Sequence, residues 1–170
     1  MVKRPANFHG GTMHKAILFD WGDTLMIDDK TQQGKMRYWD KIQLVNGASE
    51  TLRKLSSVYP LYVATGAGDS TIKDIHAAFA RAEIDVFIKG YFNRQNIPFL
   101  KGSSDFYLAI SSALGVKPQE LCMIGDSLEK DIIPAKQAGL SAIWLNHHRH
   151  TPPPQIVAIT QLQALENLLL

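Results

Sequence analysis

Short apolar runs alternate along the chain with longer segments in which apolar residues recur every three or four positions. The short runs predict buried strands and the longer segments predict amphipathic helices, an alternation typical of an α/β domain with a parallel sheet. Strands are predicted at residues 16–19, 61–64, 85–88, 121–124 and 142–145. Helices are predicted at residues 48–57, 70–82, 103–114, 129–138 and 161–169.

Two segments lie outside this alternation. Residues 1–12 contain a proline and two glycines and precede the first strand, so they are expected to form a loose N-terminal arm. Residues 26–46 mix polar and aromatic side chains without a clear period and are too few for a second domain. We therefore expect residues 13–170 to form a single domain in which residues 26–46 are a short flap.

Composition narrows the class of protein. A chain of 170 residues with 45% hydrophobic and 20% charged residues is globular and can bury a core. Its formal charge of +2 is too small to indicate nucleic-acid binding. No apolar run is long enough to span a membrane, and no secretory signal is expected because no apolar stretch follows Lys3 and Arg4. The only cysteine, Cys122, lies in an apolar run, which suits a cytoplasmic protein without membrane or nucleic-acid partners.

Two of the predicted strands end in carboxylates. The run Lys15-Ala-Ile-Leu-Phe leads into Asp20, and the run Leu121-Cys-Met-Ile-Gly leads into Asp126. Ligands of open parallel sheets bind at the carboxyl ends of the strands, so these two carboxylates are expected to lie close together. Neighbouring carboxylates repel unless a cation or a proton lies between them, and Mg²⁺ prefers oxygen ligands. Mg²⁺ is therefore the cofactor that this pattern predicts.

Four short motifs follow one another along the chain. They are Phe19-Asp-Trp-Gly-Asp-Thr-Leu25, Val63-Ala-Thr-Gly66, Lys101-Gly-Ser-Ser-Asp-Phe106, and Gly125-Asp-Ser followed by Asp131. By these motifs, residues 14–170 resemble the haloacid dehalogenase (HAD) superfamily, whose members are mostly Mg²⁺-dependent phosphatases. The resemblance implies a Rossmann-like three-layer sandwich with a five-stranded parallel sheet of strand order 3-2-1-4-5. Because residues 26–46 leave little room, no substantial cap domain is expected.

The resemblance also implies a metal site and a covalent mechanism. Asp20 would be the nucleophile that forms an aspartyl-phosphate and would also be a metal ligand. Asp126 and the backbone carbonyl of Gly22 would complete the Mg²⁺ site. Asp131 would hold metal-bound waters or orient Lys101.

A second group of residues would bind the substrate phosphate. The Thr65 hydroxyl and the backbone N–H groups of Gly66 and Ala67 would contact phosphate oxygens. Lys101 would add a positive charge beside the transferring group. The expected partner is a phosphorylated substrate, small or large, because a site without a cap is open. A homo-oligomer that closes the site is compatible with the same pattern.

One position departs from the family pattern. The phosphatases carry a second aspartate two residues after the nucleophile, which protonates the leaving group and then activates water. Here that position is Gly22, and Asp23 lies one residue further along. Asp23 is therefore a candidate substitute for the missing acid–base group. Without one, a slow phosphatase is expected, because this kind of catalysis contributes about 10²–10⁴-fold.

Three functions are consistent with these residues. A Mg²⁺-dependent phosphatase of modest rate comes first, and a catalytically weak module that binds or regulates comes second. Hydrolysis of carbon–halogen or carbon–phosphorus bonds has the least support, because family members with those activities rely on a cap. The cluster of His147, His148 and His150 could bind a transition metal or could be a solvated loop.

Overall fold

Six parallel strands form one sheet in the computed structural model, which describes residues 13–170. The predicted N-terminal arm, residues 1–12, lies outside the described residues. The strands are β1 (Ala16–Phe19), β2 (Leu61–Ala64), β3 (Ile88–Phe92), β4 (Leu121–Gly125), β5 (Ser141–Leu145) and β6 (Val157–Ile159). Their order is β3-β2-β1-β4-β5-β6. The predicted order 3-2-1-4-5 is confirmed, and a sixth strand extends it.

The third strand was predicted too early in the chain. Residues Asp85–Phe87 form a 3-10 turn, and β3 starts only at Ile88. The apolar run was misleading because Val86 is exposed at the turn, whereas β3 itself contains the polar Lys89 and a glycine. An edge strand with one exposed side has a weak apolar signal.

The sixth strand was missed because it is short and follows three prolines. It pairs with β5 over three residues, from Val157 opposite Ile143 to Ile159 opposite Leu145. Strands this short give too few positions for a period to be recognised. The last helix, predicted from residue 161, begins only at Ala164.

Helices cover both faces of the sheet. They are α1 (Ala48–Ser56), α2 (Ile72–Arg81), α3 (Ser104–Leu114), α4 (Ile133–Gln137) and α5 (Ala164–Leu169). Side chains alternate along β1, so Ile17 and Phe19 pack with α1, α2 and α5, whereas Leu18 packs with α3 and α4. This is the predicted three-layer sandwich. None of the helices in the described part of the chain is long and apolar enough to cross a membrane.

Residues 26–46 contain one 3-10 turn, Met36–Tyr38, and no longer helix. Asp74 of α2 anchors the segment by ion pairs with Lys35 (2.6 Å) and Arg37 (3.0 Å). These contacts hold the pKa of Asp74 well below its usual range. No cap domain occurs within these residues, in agreement with the predicted fold class.

Candidate active site

The ends of β1 and β4 bring the two predicted carboxylates together. The strands pair in parallel with Phe19 opposite Ile124, and the Asp20 N–H donates a 2.9 Å hydrogen bond to the Ile124 carbonyl. Asp20 and Asp126 therefore leave neighbouring strand ends on the same edge of the sheet. Oxygen atoms of Asp20, Asp126 and Asp131 all lie within 4.8 Å of one another. The structure thus assembles three carboxylates predicted from two separate motifs.

Asp131 reaches this cluster through a wide helical turn. Residues Leu128–Ile132 form a π-helical turn that precedes α4 in place of the regular helix predicted from residue 129. The Ser127 N–H donates a 3.0 Å hydrogen bond to Asp131 Oδ2. A Cβ atom at Gly125 would overlap the Asp131 carboxylate, so this close approach requires glycine. Such π turns are often found at functional sites.

Thr24 links the two strand-end carboxylates and was missed as a site residue. Its hydroxyl lies 3.3 Å from Asp20 Oδ2 and 3.1 Å from Asp126 Oδ1, and its side chain is fully buried. A single hydroxyl hydrogen can be donated to either carboxylate and favours a charged acceptor. The available signal was its place in the first motif, four residues after Asp20.

Lys101, at the start of the loop into α3, supplies the opposing charge. Its ammonium donates hydrogen bonds to Asp20 Oδ1 at 2.6 Å and to the Ala64 carbonyl at 3.0 Å. It also lies 2.7 Å from Asp131 Oδ1, an oxygen that accepts no aligned hydrogen bond among the described residues. Burial alone would lower the pKa of Lys101, but Asp20 and Asp131 outweigh it and raise that pKa above its ordinary value. Lys101 is therefore a fixed cation.

One lysine does not balance three carboxylates. Burial, together with the nearby Asp20 carboxylate, raises the pKa of Asp126 to about 7. Burial and Asp20 also raise the pKa of Asp131 to about 6, against the opposing effect of Lys101. A cation bound between neighbouring carboxylates favours their ionised forms and offsets their mutual repulsion. The all-oxygen donor set of the three carboxylates fits a hard divalent ion such as Mg²⁺.

The loop after β2 lies beside the aspartates. Thr65 is buried, and its hydroxyl oxygen accepts a 3.1 Å hydrogen bond from the Ala67 N–H. The Thr65 hydroxyl hydrogen is left free to donate to a ligand. A Cβ atom at Gly66 would lie 3.2 Å from Lys101 Cβ, so the loop packs closely on the lysine.

A cleft of about 630 Å³ opens over these groups. It is lined by every predicted site residue except one, namely by Asp20, Gly22, Thr65, Gly66, Ala67, Lys101, Asp126 and Asp131. The exception is Asp23, which lines a neighbouring cavity of about 570 Å³. Asp23 has a left-handed backbone, with φ of 58°. The structure therefore does not bring Asp23 into the cleft with Asp20.

Four charged residues of the cleft did not stand out in the sequence. Asp28 lines the cleft from the segment 26–46, and Asp69, Arg94 and Lys130 line it from elsewhere in the fold. Within residues 13–170, neither of the two cations has a carboxylate within ion-pair distance. None of these residues is one of those that define the motifs: Lys130 lies inside the fourth motif, next to Asp131, and the others lie outside the four motifs.

The histidines after β5 lie beside the second cavity. His147 and His148 line it, and His147 Nε2 contacts the Asp23 carbonyl oxygen. The rings of His148 and His150 lie 5.7 Å apart. In the described part of the chain, the aspartate cluster is the one set of three side chains placed to share a metal ion. The alternative of a metal-binding histidine cluster thus has no support from the geometry.

Comparisons with known proteins match this chain by sequence and by fold. A family model described as haloacid dehalogenase-like hydrolase matches residues 22–139. The chain is 24% identical over 127 residues to the putative HAD-hydrolase YfnB of Bacillus subtilis (strain 168). That match covers 74% of this chain and 53% of YfnB, so the chain spans about half the length of this curated relative.

Solved structures show the same fold at low sequence identity. An uncharacterized protein from Listeria monocytogenes serotype 4b has a TM-score of 0.77 at 20% identity, over 90% of this chain and 95% of that one. The YfnB structure bound to magnesium has a TM-score of 0.74 at 16% identity, over 93% and 99% of the two chains. A HAD phosphatase from Thermococcus onnurineus has a TM-score of 0.74 at 19% identity, over 90% and 96%.

Proposed function

Because the chain belongs to the haloacid dehalogenase-like hydrolase family, we propose that it hydrolyses a phosphate monoester with Asp20 as the nucleophile and Mg²⁺ as the cofactor. One observation carries the proposal above the others. The Asp20 carboxylate lines an open cleft, paired with Lys101 at 2.6 Å and grouped with two further carboxylates. A largely buried carboxylate held by a cation at a ligand-accessible strand end is suited to nucleophilic catalysis.

The chemistry proceeds in two steps. An Asp20 oxygen attacks phosphorus and forms an aspartyl-phosphate while the bond to the leaving oxygen breaks. Water then attacks phosphorus, the acyl-phosphate bond breaks and the Asp20 carboxylate is restored. Lys101 and the Thr24 hydroxyl hold the carboxylate in place through both steps, because each contacts a different Asp20 oxygen.

The loop after β2 would hold the phosphate. Thr65 and Gly66 line the same cleft as Lys101, and the Thr65 hydroxyl and the Gly66 N–H would donate hydrogen bonds to phosphate oxygens. The Ala67 N–H, which bonds Thr65 here, would have to turn to join them. Arg94 and Lys130, without ion-pair partners in the described residues, favour an anionic substrate electrostatically.

Asp20, Asp126 and Asp131 would hold the Mg²⁺ ion, with the Gly22 carbonyl as a further ligand. A bound Mg²⁺ ion supplies positive charge that lowers the repulsion between a carboxylate and a phosphate dianion. The pKa values of Asp126 and Asp131, raised by burial and by the nearby Asp20, favour this assignment, because a bound cation would stabilise the ionised form of both carboxylates. The magnesium-bound relative YfnB gives further support through its shared fold.

A second candidate follows from Gly22. A chain that binds metal and phosphate but turns over little would serve as a binding or regulatory module. The absence of a carboxylate at position 22 favours this alternative, whereas the Asp20–Lys101 pair favours hydrolysis.

Turnover of an aryl phosphate distinguishes the phosphatase from the binding or regulatory module. We expect release of phosphate from p-nitrophenyl phosphate that depends on Mg²⁺ and stops on chelation. Asp20→Asn should abolish it, since an amide is neither a nucleophile nor an anion. Asp105→Asn, an exposed carboxylate in the first turn of α3, is the matched control and should retain activity. Calorimetric Mg²⁺ binding without any turnover in the unmodified chain would favour the binding module.

A further inference from the structure

The position of Gly22 faces another carboxyl group. A Cβ atom built on Gly22 would lie 3.5 Å from Asp28 Cβ and 3.9 Å from Asp28 Cγ. A side chain at position 22 would thus point at the side chain of Asp28. Both residues line the cleft that holds Asp20 and Lys101. A carboxyl group therefore does lie next to Gly22, but Asp28 supplies it from further along the chain.

Backbone hydrogen bonds fix Asp28 in this place. The Ile27 N–H donates to the Gln43 carbonyl at 2.8 Å, which ties the two ends of the segment 26–46 together. The Asp28 N–H donates to Asp23 Oδ1 at 2.9 Å. Asp23 in turn is held by its own N–H, which donates to the Met26 carbonyl at 2.7 Å. Asp23 therefore acts on Asp28 and not on the cleft directly.

The Asp28 carboxylate is paired with Lys30 but remains accessible to solvent. The carboxylate forms an ion pair with Lys30, whose side chain is 81% exposed, while the Asp28 side chain is 37% exposed. An ion pair of this kind contributes little to stability. Asp28 therefore lines the cleft with a carboxyl group that is partly open to solvent.

We propose that Asp28 replaces the acid–base residue that position 22 lacks. The proposal deepens the phosphatase assignment and rests on it. The first step requires Asp28 in its protonated form, apart from Lys30. As the bond from phosphorus to the leaving oxygen breaks, the Asp28 carboxyl proton passes to that oxygen, which releases an alcohol and leaves Asp28 as the carboxylate. As water attacks the aspartyl-phosphate, the Asp28 carboxylate takes the water proton and Asp20 leaves phosphorus. The sum is an ester and water converted to an alcohol and phosphate, with Asp28 returned to its starting state.

Leaving-group dependence tests the proposal. Asp28→Asn should reduce kcat/KM for an alkyl phosphate such as glycerol 2-phosphate by about 10²-fold, the scale of general acid catalysis. p-Nitrophenyl phosphate, whose leaving group needs little protonation, should lose much less. Asp40→Asn, an exposed carboxylate of the same segment with no ion pair in residues 13–170, is the matched control and should leave both rates unchanged.

The outcomes separate the two proposals. Equal losses on both esters, or no loss on either, in a folded Asp28→Asn variant would overturn the role of Asp28 while leaving the phosphatase assignment intact. An unmodified chain without turnover of either ester would overturn both. Mg²⁺ affinity measured by calorimetry should be unchanged in Asp28→Asn, because no metal ligand is removed.

Moving the carboxyl group back to position 22 is a stricter test. Gly22 does not have a left-handed backbone, and the nearest atom to a Cβ there is at ordinary contact distance. The double variant Gly22→Asp with Asp28→Ala should therefore fold and should recover alkyl-phosphate turnover relative to Asp28→Ala alone. A folded double variant no faster than Asp28→Ala would overturn the claim that a carboxyl group at position 22 can do the work of the one at position 28.

Discussion

The Lys101 ammonium donates a 2.6 Å hydrogen bond to Asp20 Oδ1, although 81 positions separate the two residues. Lys101 comes just before α3, and Asp20 comes just after β1. The same ammonium lies 2.7 Å from Asp131, so one cation contacts carboxylates from both the first and the fourth motif. The pair is nearly buried, with 5% and 14% of the two side chains exposed, and its disruption leaves a charge without compensation.

Loss of the Lys101 cation should lower stability as well as activity. Lys101→Met leaves Asp20 and Asp131 without their shared partner, and we expect the free energy of unfolding to fall by about 3 kcal/mol at neutral pH without Mg²⁺. Added Mg²⁺ should restore part of the loss. Urea unfolding with and without Mg²⁺ measures both effects. Lys89→Met, an exposed lysine on β3, is the control and should change stability little.

The acidic cluster should make the metal-free protein less stable as pH rises. The folded pKa of Asp126 is about 7 and that of Asp131 about 6, both above the ordinary value of 3.8. The folded state thus binds more protons than the unfolded state between these limits, so the free energy of unfolding falls as pH rises from about 4 to 7. We expect a lower Tm at pH 8 than at pH 5 in chelator, and Mg²⁺ should raise the Tm most at pH 8.

Asp126→Asn provides the check on this pH dependence. The amide cannot ionise, so the fall in Tm with pH should shrink and the Mg²⁺-induced rise in Tm should be largely lost. An unaltered pH profile and Mg²⁺ response in Asp126→Asn would contradict the assignment of Asp126 to the metal site.

Asp23 should act through its contact with Asp28. Asn at position 23 keeps an oxygen that can accept the Asp28 N–H and tolerates the left-handed backbone, so Asp23→Asn should change alkyl-phosphate turnover little. Asp23→Gly keeps the backbone but removes the acceptor, and we expect it to lower alkyl-phosphate kcat more than aryl-phosphate kcat. If both variants lose the same large amount on alkyl phosphates, the Asp23 carboxylate itself takes part in the chemistry.

Arg94 should influence binding more than the chemical step. It lines the cleft as an unpaired cation within the described residues, and it forms neither a hydrogen bond nor an ion pair with Asp20 there. Arg94→Gln should raise KM several-fold with little change in kcat, and the difference should shrink at high salt, where screening is strong. Arg53→Gln, on the exposed side of α1, serves as the control. A kcat loss that exceeds the KM effect would place Arg94 at the reacting groups instead.

The sequence alone determined the sheet edge where the aspartates meet. The apolar runs before Asp20 and Asp126 predicted β1 and β4 because a segment buried on both faces has a continuous apolar signal. Parallel strands then place their carboxyl ends together by topology. The third strand was predicted wrongly because an edge strand beside a turn lacks that signal.

Only the tertiary structure decided which carboxyl groups face the cleft. Asp23 is next to Gly22 in the chain, yet its left-handed backbone directs it to another cavity. Asp28 lies further along the chain, yet the fold of its segment brings it to the space beside Gly22. The roles of both residues in turnover remain predictions. Their placement depends on hydrogen bonds between segments, such as Asp28 to Asp23 and Ile27 to Gln43, which no local pattern of residues encodes.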